Sequence, residues 1–374
     1  MTALTLEVVE DEDGLAALRH AWDELAAADP NPNVFLTWPW MHTWWRHFGA
    51  GRPDHRLHVA VVRDGRRVVA IAPLYVSRVG VGPLRATVVR RIAHDAGDYG
   101  GVLLAPDADA AVGVLVDHLG ALLHGGATVV VLSRLPGDAR CTTLLGEELV
   151  RRAATIEPVV TELGGTCLYV DVRGGYPLAK KAKKHKIRQR LRRLEEQHGE
   201  VAFVRHTGPT LEEGIRRFVA LHDRRWAELD EPMQGLMADD AGRAFLLDAL
   251  RALDATGRLV LLSLEAGGEP VAVELDLVQG RRQFLFKGAF DPRFAAYSPG
   301  QLLHHKVFED GLAAGIEVFD FCRGDAQYKR RWADQERRLS TVVLSRPGPR
   351  GALARQRYRL ALAAERRWRR RGRD

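Results

Sequence analysis

Between Phe284 and Phe321 the chain spells out a strand, a break, a helix and a second strand, and this order limits the folds open to it more than any other feature. Phe284 to Phe290 is an aromatic and branched apolar run, as in a strand, and Asp291-Pro292 ends it because proline has no N–H for a ladder. Ser298 stands as a helix N-cap, and Pro299 falls where a missing N–H costs nothing. The helix runs to Gly315, and Ile316 to Phe321 is the next strand. At the helix start the amides of Gly300, Gln301 and Leu302 are open, and Gly300 has no side chain to hold a ligand away. The helix dipole adds partial positive charge there, which predicts a seat for a phosphate. Asp320, Arg323, Asp325, Tyr328, Lys329 and Trp332 crowd the end of the following strand, the residue types expected where a strand meets a site.

With 374 residues and 46% apolar content, two cores are expected rather than one. No apolar run reaches the roughly 18 residues that span a bilayer, and the start lacks the order of a signal peptide, so the expectation is a cytoplasmic protein. Cys141, Cys167 and Cys322 are too few and too widely spaced for a disulfide framework or a metal site. The net charge of +7 is local in origin: residues 180–193 hold nine Lys and Arg with no acid, and residues 350–374 hold ten Arg against Glu365 and Asp374. Removing the +9 and +8 of these segments leaves −10 for the rest, so any basic surface is confined to them.

In order, the pattern predicts a strand at Leu4 to Val9, a helix at Leu15 to Ala27 and an aromatic helix through Phe35, Trp38, Trp40, Trp44 and Trp45. The tryptophans read either as core or as the wall of an acceptor pocket. A hairpin follows from Arg56 to Arg63 and Val68 to Arg78, then a strand at Arg85 to Ile92, a helix at Ala108 to Leu123 and a strand at Ala127 to Leu132. Strands near Ile156 and at Cys167 to Val172 complete the first half. Pro177 to Gln197 reads as one basic helix with Leu178, Ala182, Ile187, Leu191 and Leu194 on a stripe. Then come a strand at Val201 to Arg205, helices at Leu211 to Glu228 and Asp240 to Ala255 with a loop from Leu229 to Met237 that can cover a site, and a hairpin of Arg258 to Leu264 with Val271 to Val278.

The halves are related. Leu57, Gly65, Val69 and Ala70 match Leu259, Gly267, Val271 and Ala272 at an offset of 202, while Gly126, Val129 and Arg134 match Gly315, Val318 and Arg323 at an offset of 189. Asp320 then faces Val131 and Gly324 faces Leu135, so the polar cluster belongs to the second copy, and chemistry with it.

Taken together, Tyr297-Ser298-Pro299-Gly300-Gln301-Leu302-Leu303, Phe319-Asp320-Phe321 before Gly324-Asp325, and Tyr328-Lys329 before Trp332 resemble the GNAT-type acyltransferases encoded with bacterial cellulose and exopolysaccharide genes. That group is similar to the FemABX aminoacyltransferases, built from two GNAT-like halves. The resemblance implies a mixed α/β fold of tandem GNAT-like halves joined by the basic helix. Residues 1–174 would be a non-catalytic half, 175–345 the acyltransferase half and 346–374 a basic helical tail. It also implies acyl-CoA, with acetyl-CoA the simplest case, as donor and no metal. Ser298-Pro299-Gly300 stands where an ordinary GNAT enzyme carries a Gln/Arg-x-x-Gly-x-Gly/Ala loop.

Acyl transfer to an amine needs a donor seat, an oxyanion stabiliser and a proton acceptor. Ser298, Gly300, Gln301 and Leu302 are expected at the seat, with Lys287 and Lys329 on phosphate, and strand amides near Gly288 can face the reacting carbonyl. Asp320, between Phe319 and Phe321, is the expected base or amine anchor; the competing reading pairs it with Arg323. Tyr328 is expected to protonate the leaving group, or else to pack with Trp332 one helical turn on. Asp291, Arg323, Asp325 and Trp332 are the expected acceptor contacts, and Lys287 with Asp291 can equally form a structural pair.

The function expected is N-acyl transfer from acyl-CoA to a primary amine, on a small molecule, amino sugar or amino acid, by direct attack. The alternative is a FemABX-like transfer from aminoacyl-tRNA, with tRNA held by Lys180 to Arg193. A third reading is an inactive tandem module that binds an anionic partner. The tail from Arg350 to Arg373 can lie on an anionic membrane.

Overall fold

The structure is a computed structural model that describes residues 3–82, 85–125, 127–162, 165–175, 181–227 and 235–371, without the side chains of 161–162, 181–183 and 365–371. Parts of the expected basic helix (177–180), covering loop (229–234) and tail (372–374) lie outside the described residues. The chain forms two compact units, Met1–Thr166 with Arg337–Asp374, and Cys167–Glu336.

The first unit opens with β1 (Leu4–Val9), α1 (Glu12–Ala17) and α2 (Arg19–Ala28), the expected single helix being interrupted at Leu18. The Asp11 side chain caps α1 by accepting the Gly14 N–H at 2.7 Å. In α3 (Trp38–Trp44) and just beyond it Trp40, Trp44 and Trp45 are buried, with Phe35 edge-on to Trp40 at 5.2 Å, so the aromatic segment is core. There follow β2 (His55–Leu57), β3 (Val59–Asp64), β4 (Arg67–Ala72), β5 (Leu74–Val79), β6 (Ala86–Arg91), β7 (Leu103–Leu104), α4 (Ala110–Leu122), β8 (Thr128–Pro136), α5 (Arg140–Arg151) and β9 (Glu157–Glu162). The expected hairpin arm Val68 to Arg78 breaks at Pro73, which cannot continue a ladder. β4 therefore pairs in a sheet ordered β1-β3-β4-β7, while β5 pairs with β2 and β6. β6 and β8 are parallel, as a helical crossover through α4 requires.

The second unit comprises β10 (Thr166–Asp171), α6 (Lys181–His198), β11 (Val201–His206), α7 (Leu211–Ala227), α8 (Asp240–Asp254), β12 (Leu259–Ala266), β13 (Glu269–Gln279), β14 (Arg282–Phe290), α9 (Pro299–Ala313), β15 (Val318–Arg323) and α10 (Gln327–Arg330). Its strands run β11-β12-β13-β14-β15-β10, antiparallel except for β14 with β15, which the α9 crossover joins in parallel. Ile187 and Leu194 of α6, with Leu302, Leu303, Val307 and Phe308 of α9, pack into one core with Phe319 and Phe321. The apolar stripe of the basic helix thus faces inward and its Lys184, Lys186 and Arg188 face solvent.

The units repeat one plan down to the register. In β3–β4 Ala60 faces Ala72 and Asp64 faces Arg67, with a bulge after Val62; in β12–β13 Leu262 faces Glu274 and Ala266 faces Glu269, with a bulge after Leu264. Each pair and the bulge are displaced by the offset of 202 read from the sequence, and Gly65 and Gly267 share a φ of +57° in the turns. The architecture is thus a mixed α/β fold of two related halves.

The unit boundaries depart from the expected ones near residues 174 and 345. β10 lies against β15 in the second unit, and the chain returns to the first through β16 (Gln335–Ser345), which pairs with β8 and β9. The physical reason is that β8 and β15 would each end a sheet with unpaired N–H and C=O groups, and an antiparallel strand covers each. Nor is the tail separate: α11 (Pro349–Arg371) seats Ala354, Tyr358 and Ala361 on Val79, Val88, Val129 and Val343 of the first unit. Among the described residues no helix is long and apolar enough to cross a membrane.

Candidate active site

The parallel pairing of β14 and β15 runs no further than Phe284 against Asp320. Beyond that the strands part. On the other side of β14, Leu275 faces Lys287 and Asp276 faces Leu285, so Phe286 is an extra, bulged residue that bends the strand away. The parting opens a cavity of about 570 Å³, lined by β14 from Leu285 to Phe290, the start of α9, α10 and the end of α7. β15 does not accompany β14 along this stretch, so an extended, amide-bearing ligand can lie beside it.

Glu274 of β13 reaches into the cavity while almost wholly buried. It can do so because its cross-strand partner is Gly288: a Cβ there would lie 2.6 Å from Glu274 Oε2. His304 of α9 brings Nε2 to 3.2 Å from Glu274 Oε1, and its ring stacks on Tyr328 of α10 with centroids 5.9 Å apart and planes 19° apart. Trp332 meets the same imidazole edge-on at 5.8 Å and stacks on Phe308 at 5.3 Å, fixing the far wall. Enclosure in the cleft, reinforced by the Glu274 carboxylate, pushes the Tyr328 phenol up to about 12, so it stays protonated at neutral pH and is a hydrogen-bond donor. Arg225, Lys287 and Arg331 also line the cavity, with Arg225 over the Phe290 ring at 4.6 Å and Lys287 over Phe286 at 5.1 Å. Behind Glu274 lies Asp276, fully buried, its carboxyl accepting from Gln283 Nε2 at 2.7 Å and from the Phe286 N–H. Burial, then the neighbouring Glu274, raises its pKa well above the usual carboxylate range.

Of the residues expected from the sequence, Lys287, Ser298, Gly300, Gln301, Tyr328, Lys329 and Trp332 meet in this cavity. Ser298 differs from a standard N-cap: its φ of 52° is left-handed and its side chain makes no capping bond. Its carbonyl takes the Gln301 N–H at 2.9 Å and the Leu302 N–H at 3.4 Å, so two of the three amides expected to be open are used. The seat narrows to the Gly300 amide, where a Cβ would meet nothing within 4 Å. Gln301 also has its side-chain Oε1 held by Arg190 of α6 at 2.8 Å, which joins the basic helix to the cavity rim. Lys329 lines the wall, but its buried ammonium donates to the Phe321 and Arg323 carbonyls, both at 2.7 Å, and holds the β15–α10 corner rather than a phosphate.

Leu302, Asp291, Asp320, Arg323 and Asp325 do not line the cavity. Leu302 is core. Asp291 is buried against Arg224 and, at 2.8 Å, Arg293, and it caps the turn by accepting the Arg293 N–H at 3.0 Å; Lys287 is not its partner. Asp325 is exposed and pairs with Arg330 at 2.7 Å, while Arg323 is exposed at the strand end. Asp320 is buried, but its carboxylate is committed to Arg282 and to the Cys322 N–H at 2.7 Å. Asp320 is thus held by a β14 arginine, Arg282, and the carboxylate that lines the cavity is Glu274. The sequence held a signal for it: Glu274 and Asp276 break an otherwise apolar strand two residues apart, on one face.

Residues 181–330 match the family model described as an acetyltransferase (GNAT) domain. This part of the chain is a GNAT acyltransferase domain. It includes the whole Glu274–His304–Tyr328 cluster. No curated protein matches the sequence. Among solved structures the chain is similar to FemX, at a TM-score of 0.64 and 11% identity over 90% of this chain and 96% of that one. It is also similar to L-PGS from Bacillus licheniformis, at a TM-score of 0.54 and 12% identity over 93% and 96%. A third likeness is to the C-terminal domain of a putative lysylphosphatidylglycerol synthetase from Agrobacterium fabrum, at a TM-score of 0.52 and 14% identity over 94% and 95%. At these identities the likeness is one of fold.

Proposed function

We propose that the GNAT domain transfers an acyl group from acyl-CoA, with acetyl-CoA as the simplest donor, to a primary amine by direct attack. The observation that carries this reading is the Glu274–His304–Tyr328 cluster inside the cavity where β14 and β15 part. The Glu274 carboxylate attracts the acceptor ammonium and orients His304, which takes the proton as nitrogen attacks the carbonyl carbon. Tyr328, held protonated, donates to the departing sulfur as the C–S bond breaks. Arg225, Lys287 and Arg331 draw in the donor's phosphates and the Gly300 amide meets one of them, while the amide-bearing arm lies along β14 where it has parted from β15. The acceptor is a small amine, amino sugar or amino acid. The kinship with the cellulose and exopolysaccharide group and a cytoplasmic setting belong to the same proposal.

One observation favours a second donor. Arg190 ties the basic helix to Gln301 at the cavity rim, so an aminoacyl-tRNA whose backbone lay along α6 would have its charged end near the cluster. Calorimetry with acetyl-CoA and with aminoacyl-tRNA separates the two, supported by assay of free CoA released with a panel of amines. CoA release that survives RNase supports the first reading, and turnover abolished by RNase supports the second. Under either, Glu274→Gln is expected to lower kcat about 10²–10⁴-fold, and unchanged kcat would remove Glu274 from the mechanism. The proposal extends to α11, where Leu353 and Leu360 are exposed among Arg350, Arg357 and Arg359, a pattern suited to an anionic membrane surface. Co-sedimentation with anionic but not zwitterionic vesicles tests that contact.

A further inference from the structure

The first unit has its own counterpart of the catalytic cavity, and its chemistry is reversed in sign. At the offset of 202 Ala72 stands where Glu274 does, and at the offset of 189 Leu132 stands where Phe321 does and Ser133 where Cys322 does. The parallel ladders extend the equivalence: Val88 pairs with Val129 as Arg282 pairs with Val318, so Arg91, three residues on, takes the place of Leu285. Ala72, Arg91, Leu132 and Ser133 all line one small cavity of about 20 Å³. That is far too small for an acyl donor, and about the size of one water molecule or one monatomic ion.

Its polar lining is incomplete. Arg91 is 3% exposed, and its Nη1 donates to the Ile92 carbonyl at 3.1 Å, while Nε and Nη2 are buried with no partner. The Ser133 hydroxyl is also buried without one. Leu74, Val102, Leu115, Leu119 and Leu145 make up much of the remaining lining and offer nothing to a cation. Burial, then the nearby Arg134, pulls the Arg91 pKa down to about 9, which still leaves the guanidinium charged at neutral pH. A charged group buried with unmet N–H donors is among the costliest arrangements in a protein interior, and an anion accepting from them removes that cost.

We propose that this cavity binds one small halide-sized anion, chloride under ordinary conditions, between the Arg91 guanidinium and the Ser133 hydroxyl. The first unit thus keeps the ligand position of the shared fold but uses it to bind an ion that stabilises the unit. Because this site belongs to the first unit and involves no acyl donor, it stands or falls independently of the proposed reaction.

The test is thermal unfolding of the full chain in sodium chloride or bromide against sodium gluconate at matched ionic strength, gluconate being too large for the cavity. Melting is expected to rise with the logarithm of halide concentration above its Kd, by about 3–6 °C for a tenfold excess of halide over its Kd. Ser133→Ala should shift this response to higher halide concentration, and Arg91→Met should abolish it. If Arg91→Met fails to fold, a bromide-soaked crystal of the parent protein decides the matter by an anomalous peak between Arg91 and Ser133. Equal melting in all three salts, a halide response unchanged in Ser133→Ala, or a water in place of bromide would each overturn the proposal.

Discussion

Asp320→Asn separates two accounts of the most conspicuous carboxylate in the chain. Asp320 is fully buried and its partner Arg282 has a side chain only 9% exposed, so the substitution leaves the shape intact and takes the Asp320 charge away from the buried guanidinium. The Cys322 N–H keeps an acceptor, because the Asn carbonyl can replace the carboxylate oxygen that took it at 2.7 Å. What is lost is the charge of a buried pair. Breaking such a pair from one side costs about 3–5 kcal/mol. For a unit of this size each kcal/mol moves Tm by about 2–4 °C, so a fall of about 6–20 °C is expected. Turnover per folded molecule, measured well below the lowered Tm, should stay within about twofold of the parent, since each 1.4 kcal/mol of barrier is tenfold in rate and Asp320 does not line the cavity. Differential scanning calorimetry and an assay of thiol release on the same sample give both numbers. A variant with parental Tm and abolished turnover would refute this reasoning and return Asp320 to the catalytic role expected from the sequence.

Gly300→Val places a branched side chain where a Cβ now meets nothing within 4 Å, so the fold should be kept while the donor is crowded off the amide. The donor KM is expected to rise about tenfold or more with Tm nearly unchanged, and an unchanged KM would rule out the seat. Asp276→Asn tests the raised carboxyl behind Glu274. Because the folded state holds its proton more tightly than the unfolded chain, the parent loses stability as pH rises above about 4 towards the folded-state value. The variant should show a flatter fall of Tm over that range, and parallel curves would show that Asp276 does not titrate on unfolding.

Most of the architecture could be read from the sequence because local chemistry set it. Asp291-Pro292, Ser298-Pro299 and Gly315 mark the strand–helix–strand segment by what their backbones cannot or can do, and the structure shows those elements there. The duplication was legible too, and the ladders reproduce its offset of 202 pair by pair. What local pattern could not give was which strand covers which edge: β10 and β16 settle the unit boundaries, and their partners lie far along the chain.

The sequence by itself determined most of the strands and helices, the inward stripe of the basic helix, and the stretch of chain where the cavity residues gather. Only the tertiary structure decided which carboxylate faces the cavity. Asp320 and Glu274 are the same kind of group on buried strands, and the nearby Asp276 marks Glu274 as unusual without saying which of the two faces a cavity. Arg282, 38 residues away, neutralises the first, whereas Gly288 across the ladder clears space for the second beside His304. Burial and charge pairing depend on distances through space, and only the folded chain sets those.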